Sequence, residues 1–165
     1  MNKTVTLTAL EVAKIACNIE VDGSDYYEEA ARIADVGEAK DTFVELARQE
    51  HEHLNTFRNM YRELDEKMGG SEGSTEYLFD DEITKYLKVI SEGIVFPVGL
   101  DMKKWISEHN DIETVVKFAI DMEKNSLLFY TEILLHSPFA YSREILQDII
   151  KEEKSHIVML SSILK

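Results

Sequence analysis

Apolar residues recur every three or four positions along most of the chain, which is the spacing that places them on one face of an α-helix. Four long segments carry this pattern, at about 8–35, 39–68, 110–136 and 141–165. Only two prolines and seven glycines interrupt the 165 residues, so long helices can form without a break. The pattern predicts an all-α protein.

Capping residues and helix breakers mark the ends of these segments. Thr8 with Glu11, and Asn110 with Glu113, have the spacing of a capping box, so we expect the first and third long helices to begin there. The glycine- and serine-rich segment 69–74 is expected to end the second long helix, because such residues favour loops over helix interiors.

The connection between the second and third long helices, about 69–110, is less regular. Asp80 or Asp81 is expected to begin one helix in it, and Asp101 a short helix that carries Trp105. A connection of roughly 40 residues is unusual in a compact domain. It is natural in a bundle, where it runs the full length so that the third helix starts at the far end.

We therefore predict a single domain, 1–165, folded as a four-helix bundle of two helical hairpins, about 8–68 and 111–165. The long, partly helical crossover joins helices 2 and 3 of the bundle. With 44% hydrophobic and 30% charged residues, the chain has the composition of an ordinary globular protein.

Polar residues repeat along the chain at an offset of 103 positions. Each half has a glutamate, a tyrosine seven positions later, and a Glu-x-x-His motif that begins thirty positions after the first glutamate. The matched residues are Glu20, Tyr27, Glu50 and His53 in the first half and Glu123, Tyr130, Glu153 and His156 in the second. Most apolar residues between them differ, which is the reverse of what simple core packing favours.

The spacing places each lone glutamate at the height of the Glu-x-x-His motif in its hairpin. Glu20 lies about 24 Å along its helix from the turn near Val36, and Glu50 lies about 20 Å back from that turn. Residues three apart share a helix face, so Glu50 and His53 can bind one ion together. The second hairpin has the same arrangement.

Four ionised carboxylates at one level of an apolar bundle are costly unless they are compensated. Two divalent cations balance their charge, and two neutral imidazoles fill further coordination positions. Carboxylate and imidazole ligands suit iron or manganese, with carboxylates bridging ions about 3.5–4 Å apart. The repeat therefore predicts a two-metal site bound by Glu20, Glu50, His53, Glu123, Glu153 and His156.

Tyr27 and Tyr130 lie almost two turns beyond their glutamates on the same inward face. We expect their hydroxyls to bond ligand carboxylates across the bundle. Cys17 is interpreted as a small core residue. The other histidines and the acids beside the repeat are interpreted as exposed: Glu28, Glu29, Glu52, Glu132, Glu152, His51, His109 and His136.

The charge balance limits the possible partners. Thirty-two acidic against eighteen basic residues give a net charge of −14, which disfavours a nucleic acid or an anionic membrane as partner. A single cysteine excludes an internal disulfide and any four-cysteine metal site within these residues. No stretch approaches 18 apolar residues and the first ten do not read as a signal peptide, so we expect a cytoplasmic protein.

Four segments resemble the ferritin-like di-iron carboxylate proteins, and among them most closely the rubrerythrin group. They are IEVDGSDYYEEAA and ELARQEHEHL in the first half, and DMEKNSLLFYTEIL and IIKEEKSHI in the second. A glutamate on each of two helices and Glu-x-x-His on each of the other two is the ligand pattern of that superfamily. The resemblance implies a ferritin-like bundle that binds two iron ions.

The chain also departs from that group. Rubrerythrins proper carry a rubredoxin site with four cysteines and a further glutamate three residues from a ligand on the third bundle helix. Here the positions three before and after Glu123 are Ile120 and Ser126. The six-residue set is similar to the ferroxidase centre of bacterioferritins, but the nine residues after His156 are too few for a fifth helix. We therefore expect no storage cage.

The resemblance implies a redox enzyme whose Fe(II) ions react with peroxide or dioxygen. Glu50 and Glu153 would bridge the two ions. Each ion would have one further glutamate, Glu20 or Glu123, and one histidine, His53 or His156, as ligands. The implied electron donor is a separate protein such as a rubredoxin-like one, and a homodimer is expected. Three alternatives stay open: an iron-binding or ferroxidase protein for iron handling, a di-manganese protein with catalase-like chemistry, and a metal-free helical scaffold.

Overall fold

The computed structural model describes residues 7–68, 79–93, 100–109, 111–136 and 140–165. All six regular elements in these ranges are α-helices, so the all-α prediction is confirmed. In chain order they are α1 Ala9–Ile33, α2 Glu38–Met68, α3 Asp81–Gly93, α4 Met102–Glu108, α5 Ile112–His136 and α6 Ala140–Ile163. No helix in the described part of the chain is long and apolar enough to cross a membrane.

The four long helices form two hairpins that pack into one bundle. α1 packs along α2, α5 packs along α6, and α2 contacts α6. The turn between α1 and α2 contains Gly37, whose φ of 148° is a backbone conformation that other residues rarely adopt. The hydroxyl of Tyr26 donates to the backbone oxygen of Val115 at 2.7 Å, which ties α1 to the first turn of α5. The predicted two-hairpin architecture is confirmed.

The two crossover helices lie against opposite hairpins, α3 against α5 and α4 against α1. The start of α3 is held to the N-terminal segment, because the Phe79 amide donates to the Leu7 oxygen at 3.0 Å. Trp105 of α4 packs on Phe118 with ring centroids 4.3 Å apart. The crossover therefore contributes apolar contacts along the bundle.

The interior of the bundle combines aromatic side chains with alanines that let the helices approach closely. Phe43, Phe57 and Phe129 are almost completely buried, as are Ala16 and Ala119 at matched positions of the repeat. Cys17, expected in the core, is half-buried at its edge.

Three predicted helix starts are confirmed, and one was wrong by a residue. Thr8 and Glu11 form the predicted capping box. Asp80 and Asp101 accept backbone N–H groups at the starts of α3 and α4. The cap of α5 is Asp111, whose Oδ1 accepts from the Thr114 amide at 3.0 Å.

The expected capping box of α5 placed the cap one residue too early. Asn110 itself lies outside the described residues. Aspartate is as good a cap as asparagine, and its negative charge also interacts favourably with the positive end of the helix dipole. The two neighbouring candidates therefore could not be ranked by their spacing to Glu113 alone.

The capping box of α1 gives a direct stability prediction. Thr8→Ala should lower the free energy of unfolding by about 1 kcal/mol, because the Glu11 amide loses its acceptor. For a domain of this size that corresponds to a melting temperature lower by roughly 2–4 °C. Thermal unfolding checks it, and Thr8→Ser, which keeps the hydroxyl, should melt close to the wild type. An equal loss in both variants would contradict the role of the hydroxyl.

Candidate metal centre

The six predicted ligand residues lie on the four long helices and converge at one level of the bundle. α1 and α5 each contribute one glutamate, and α2 and α6 each contribute one glutamate and one histidine. None of the six is more than 4% exposed: Glu20, Glu50, His53, Glu123, Glu153 and His156. The matched residues of the sequence repeat therefore occupy equivalent positions on the two hairpins, and both sets lie in the interior of the bundle.

The six residues form two overlapping groups, and the donor atoms within each group lie within 4.8 Å of one another. One group consists of Glu20, Glu50, His53 and Glu153, and the other of Glu50, Glu123, Glu153 and His156. Glu50 and Glu153 belong to both groups. That sharing is the arrangement expected of two carboxylates that bridge a pair of ions.

Each histidine presents its Nδ1 atom to the carboxylates of its own group. The Nδ1 of His53 lies 3.2 Å from Glu153 Oε1 and 3.4 Å from Glu20 Oε2. The Nδ1 of His156 lies 3.0 Å from Glu50 Oε1 and 3.2 Å from Glu153 Oε2. The two rings stack with centroids 5.5 Å apart, so both Nδ1 atoms face one shared space.

Five buried polar atoms that face this space have no hydrogen-bond partner among the described residues. They are Glu20 Oε2, His53 Nδ1, Glu153 Oε1, Glu153 Oε2 and His156 Nδ1. Leaving buried donors or acceptors unsatisfied costs about 1–3 kcal/mol each, and more for charged groups. Five such atoms in one place fit the binding of cations, and the donor set of carboxylates and imidazoles fits iron or manganese.

The electrostatics of the metal-free cluster also favour the binding of cations. Burial raises the pKa of the Glu20 and Glu123 carboxyls well above the ordinary value, and the nearby carboxylates raise each pKa further. Burial lowers the pKa of His53 and His156, but the carboxylates around each ring outweigh it and raise the pKa of both. The metal-free site therefore holds protons where cations would otherwise balance its charge, and metal binding would release them.

The two tyrosines make the predicted contacts across the bundle. The hydroxyl of Tyr27 donates to Glu123 Oε1, and the hydroxyl of Tyr130 donates to Glu20 Oε1. Burial raises the pKa of both phenols, so each hydroxyl remains a donor. Each tyrosine thus fixes the unshared glutamate of the opposite hairpin. The second oxygen of Glu20 faces His53, whereas Glu123 presents Oε1 to both Tyr27 and His156.

Two further residues at the site were not recognised from the sequence. Glu152 was expected to be an exposed residue without a role at the site. About half of its side chain is exposed, but its Oε2 atom lies 2.7 Å from His53 Nε2. Gln49 Oε1 lies 2.9 Å from His156 Nε2. The two positions are related by the same offset of 103 residues, and each directly precedes a motif glutamate. That shared offset was the signal that could have identified them.

The other residues expected at the surface are exposed, with two exceptions. Glu29 and Glu132 are partly buried and interact on their own helices. The Oε2 atom of Glu29 lies 2.8 Å from Arg32 Nη1, and the Oε2 atom of Glu132 lies 3.4 Å from His136 Nε2. These two matched acids are therefore held by neighbours instead of being freely solvated, and they take no part in the cluster.

A cavity of about 10 Å³ adjoins Glu50 and Glu123. That volume is about the minimum that holds one water molecule. Its wall includes Gly23 and Ser126, which occupy matched positions of the repeat. A Cβ atom at Gly23 would lie 3.5 Å from Glu50 Cδ, which is ordinary van der Waals contact, so alanine fits there but a longer side chain would press on a candidate ligand. Small residues therefore keep space open beside the cluster.

Comparisons with known proteins agree with this geometry. The family model described as Rubrerythrin matches residues 11–94 and 96–164. A crystal structure from Thermotoga maritima, described as a ferritin-like diiron-carboxylate protein, superposes with a TM-score of 0.67 at 24% identity. The alignment covers 96% of this chain and 95% of that one, and it shows the fold. No curated protein matches significantly. The buried cluster fits a di-iron protein, and the chain belongs to the rubrerythrin family.

Proposed function

We propose that the protein is a di-iron oxidoreductase that reduces peroxide or dioxygen. The observation that carries the proposal is the pair of overlapping four-residue groups, with five buried donor atoms left without partners. Glu50 and Glu153 would hold both ions. Membership of the rubrerythrin family supports iron as the metal.

The unshared residues complete the two positions, Glu20 with His53 in one and Glu123 with His156 in the other. When bound, two adjacent ferrous ions would supply two electrons, enough with two protons to convert hydrogen peroxide to two waters. The chain's own groups would bind and orient the ions and exclude bulk water, since all six side chains are buried. The small cavity beside Glu50 and Glu123 has room for about one water-sized molecule next to the cluster.

Reaction with the oxidant provides the test. Protein that has been loaded with Fe(II) without oxygen should be oxidised by hydrogen peroxide much faster than free Fe(II) in the same buffer. With a rubredoxin-like donor and a reductant present, each site should consume many equivalents of peroxide. Stopped-flow absorbance and peroxide consumption measure the two expectations. Oxidation no faster than that of free Fe(II) would contradict the proposal.

An iron-handling role is the second candidate, and the acidic surface favours it. Thirty-two acids against eighteen bases raise the local concentration of cations around the protein. A protein that binds, oxidises and passes on iron would stop near one equivalent of oxidant per site even when a reductant is supplied. Disproportionation of peroxide by the manganese-loaded form without any donor would instead identify catalase-like chemistry.

A further inference from the structure

The two halves of the metal centre differ at the residue that supports each histidine. The Nε2 atom of His53 on α2 is hydrogen-bonded to the carboxylate of Glu152 on α6. The Nε2 atom of His156 on α6 is hydrogen-bonded to the amide oxygen of Gln49 on α2. The supporting positions are related by the 103-residue repeat, yet one holds a carboxylate and the other an amide. The near-symmetric centre therefore has one charged support and one neutral support.

The geometry fixes which ring nitrogen faces which group. In each ring Nδ1 faces the glutamates of the cluster, while Nε2 points away from it toward the support. An imidazole that binds a metal through Nδ1 carries its proton on Nε2. Each support therefore accepts an N–H bond from a histidine whose other nitrogen is free for a metal.

The amide of Gln49 is itself held in place. Its Nε2 donates to Glu45 Oε1 at 2.6 Å, which turns its Oε1 toward His156. The orientation of Gln49 as an acceptor follows from this network. Glu45 makes its hydrogen bond to the amide and acts on His156 only through space, whereas the Glu152 carboxylate contacts His53 directly.

We propose that the position containing Glu20 and His53 binds a divalent cation more tightly than the position containing Glu123 and His156, and so fills first. Bonds to an ionised acceptor are roughly twice as strong as bonds between neutral groups. A carboxylate that accepts from a metal-binding histidine raises its basicity, and losing such a support typically weakens metal binding 10–100-fold. The inference rests on the metal binding in the proposed function and is independent of any reaction with peroxide.

Most of the remaining polar contacts of the two positions are matched, although Glu20 meets its tyrosine and its histidine through different oxygens and Glu123 meets both through Oε1. Each shares Glu50 and Glu153, and each has one unshared glutamate that accepts from a tyrosine of the other hairpin. In the described part of the chain, the supports of the two histidines are the difference in charge between the groups that contact the two imidazoles from outside the cluster.

Titration of the metal-free protein with Mn²⁺ in the absence of oxygen tests the order of filling. Calorimetry should resolve two dissociation constants that differ by about tenfold or more. Crystals given less than one equivalent of Mn²⁺ should show the anomalous signal mainly beside His53. Glu152→Gln should weaken the tighter site about tenfold or more and make the two occupancies similar. Glu144→Gln, the same change at an exposed position of α6, should leave both constants unchanged.

A gain of affinity cannot result from a folding defect, so the reverse change is the stronger test. Gln49→Glu is combined with Glu45→Gln, which preserves both the net charge and a hydrogen bond between the two side chains. This double variant should bind Mn²⁺ more tightly at the position that contains His156. Adding Glu152→Gln should make that position the first to fill. Equal occupancy in the wild type, or no change of order in the triple variant, would overturn the inference. Wild-type protein that binds no metal would overturn the proposed function as well.

Discussion

Glu153→Ala is expected to abolish binding of both metal ions at concentrations at which the wild type binds two. Glu153 belongs to both four-residue groups, and both of its oxygens are buried without partners. Its loss leaves neither position with a complete set of protein ligands. We expect affinity to fall at least about 100-fold, more than the usual effect of removing a residue that only supports a ligand. Metal content after anaerobic loading and desalting measures the change.

Glu20→Ala is the informative comparison, because Glu20 belongs to one group only. It should leave about one ion per chain, held by the group that contains His156. Circular dichroism of the metal-free variants should first show that both remain helical. Two retained ions in Glu153→Ala, or a complete loss in Glu20→Ala, would contradict the assignment of shared and unshared ligands.

Metal binding is expected to raise the stability of the fold strongly. A ligand at one hundred times its dissociation constant stabilises the native state by about 2.7 kcal/mol per site, so two sites give about 5 kcal/mol. For a domain of this size the melting temperature should rise by roughly 10–20 °C. Thermal unfolding with Fe(II) or Mn²⁺, compared with a chelator, measures the shift.

The controls separate this effect from general binding of cations to an acidic protein. Glu153→Ala should show little of the rise, whereas Glu144→Gln should show all of it. Screening of surface charge alone would stabilise all the proteins alike and would weaken with added salt. An equal rise in wild type and Glu153→Ala would place the effect at the surface and contradict the buried centre.

Periodicity made the fold predictable from the sequence, because long helices with few prolines and glycines have few ways to bury an apolar face. The buried cluster of glutamates and histidines was predictable for a different reason. Glu20 and Glu123, like His53 and His156, are polar residues on otherwise apolar faces, and they recur at one offset. A core without a bound ion gives no reason for that pattern.

The residues that were missed lie at the boundary between buried and exposed positions. About half of the Glu152 side chain is exposed, yet its carboxylate contacts His53 of α2. Its position in the apolar pattern of α6 is that of a solvated acid. The pattern of α6 alone does not show that the Glu152 side chain extends to a histidine on α2. The cap of α5 was misplaced for a local reason, since two adjacent residues can both accept the N–H groups of a first turn.

Anomalous scattering from a crystal loaded with metal tests the central claim most directly. Data collected at the iron and manganese absorption edges identify each bound ion and locate it. The account predicts two peaks inside the bundle, enclosed by Glu20, Glu50, His53, Glu123, Glu153 and His156. A single buried peak, or metal found only at surface carboxylates after full loading, would contradict it.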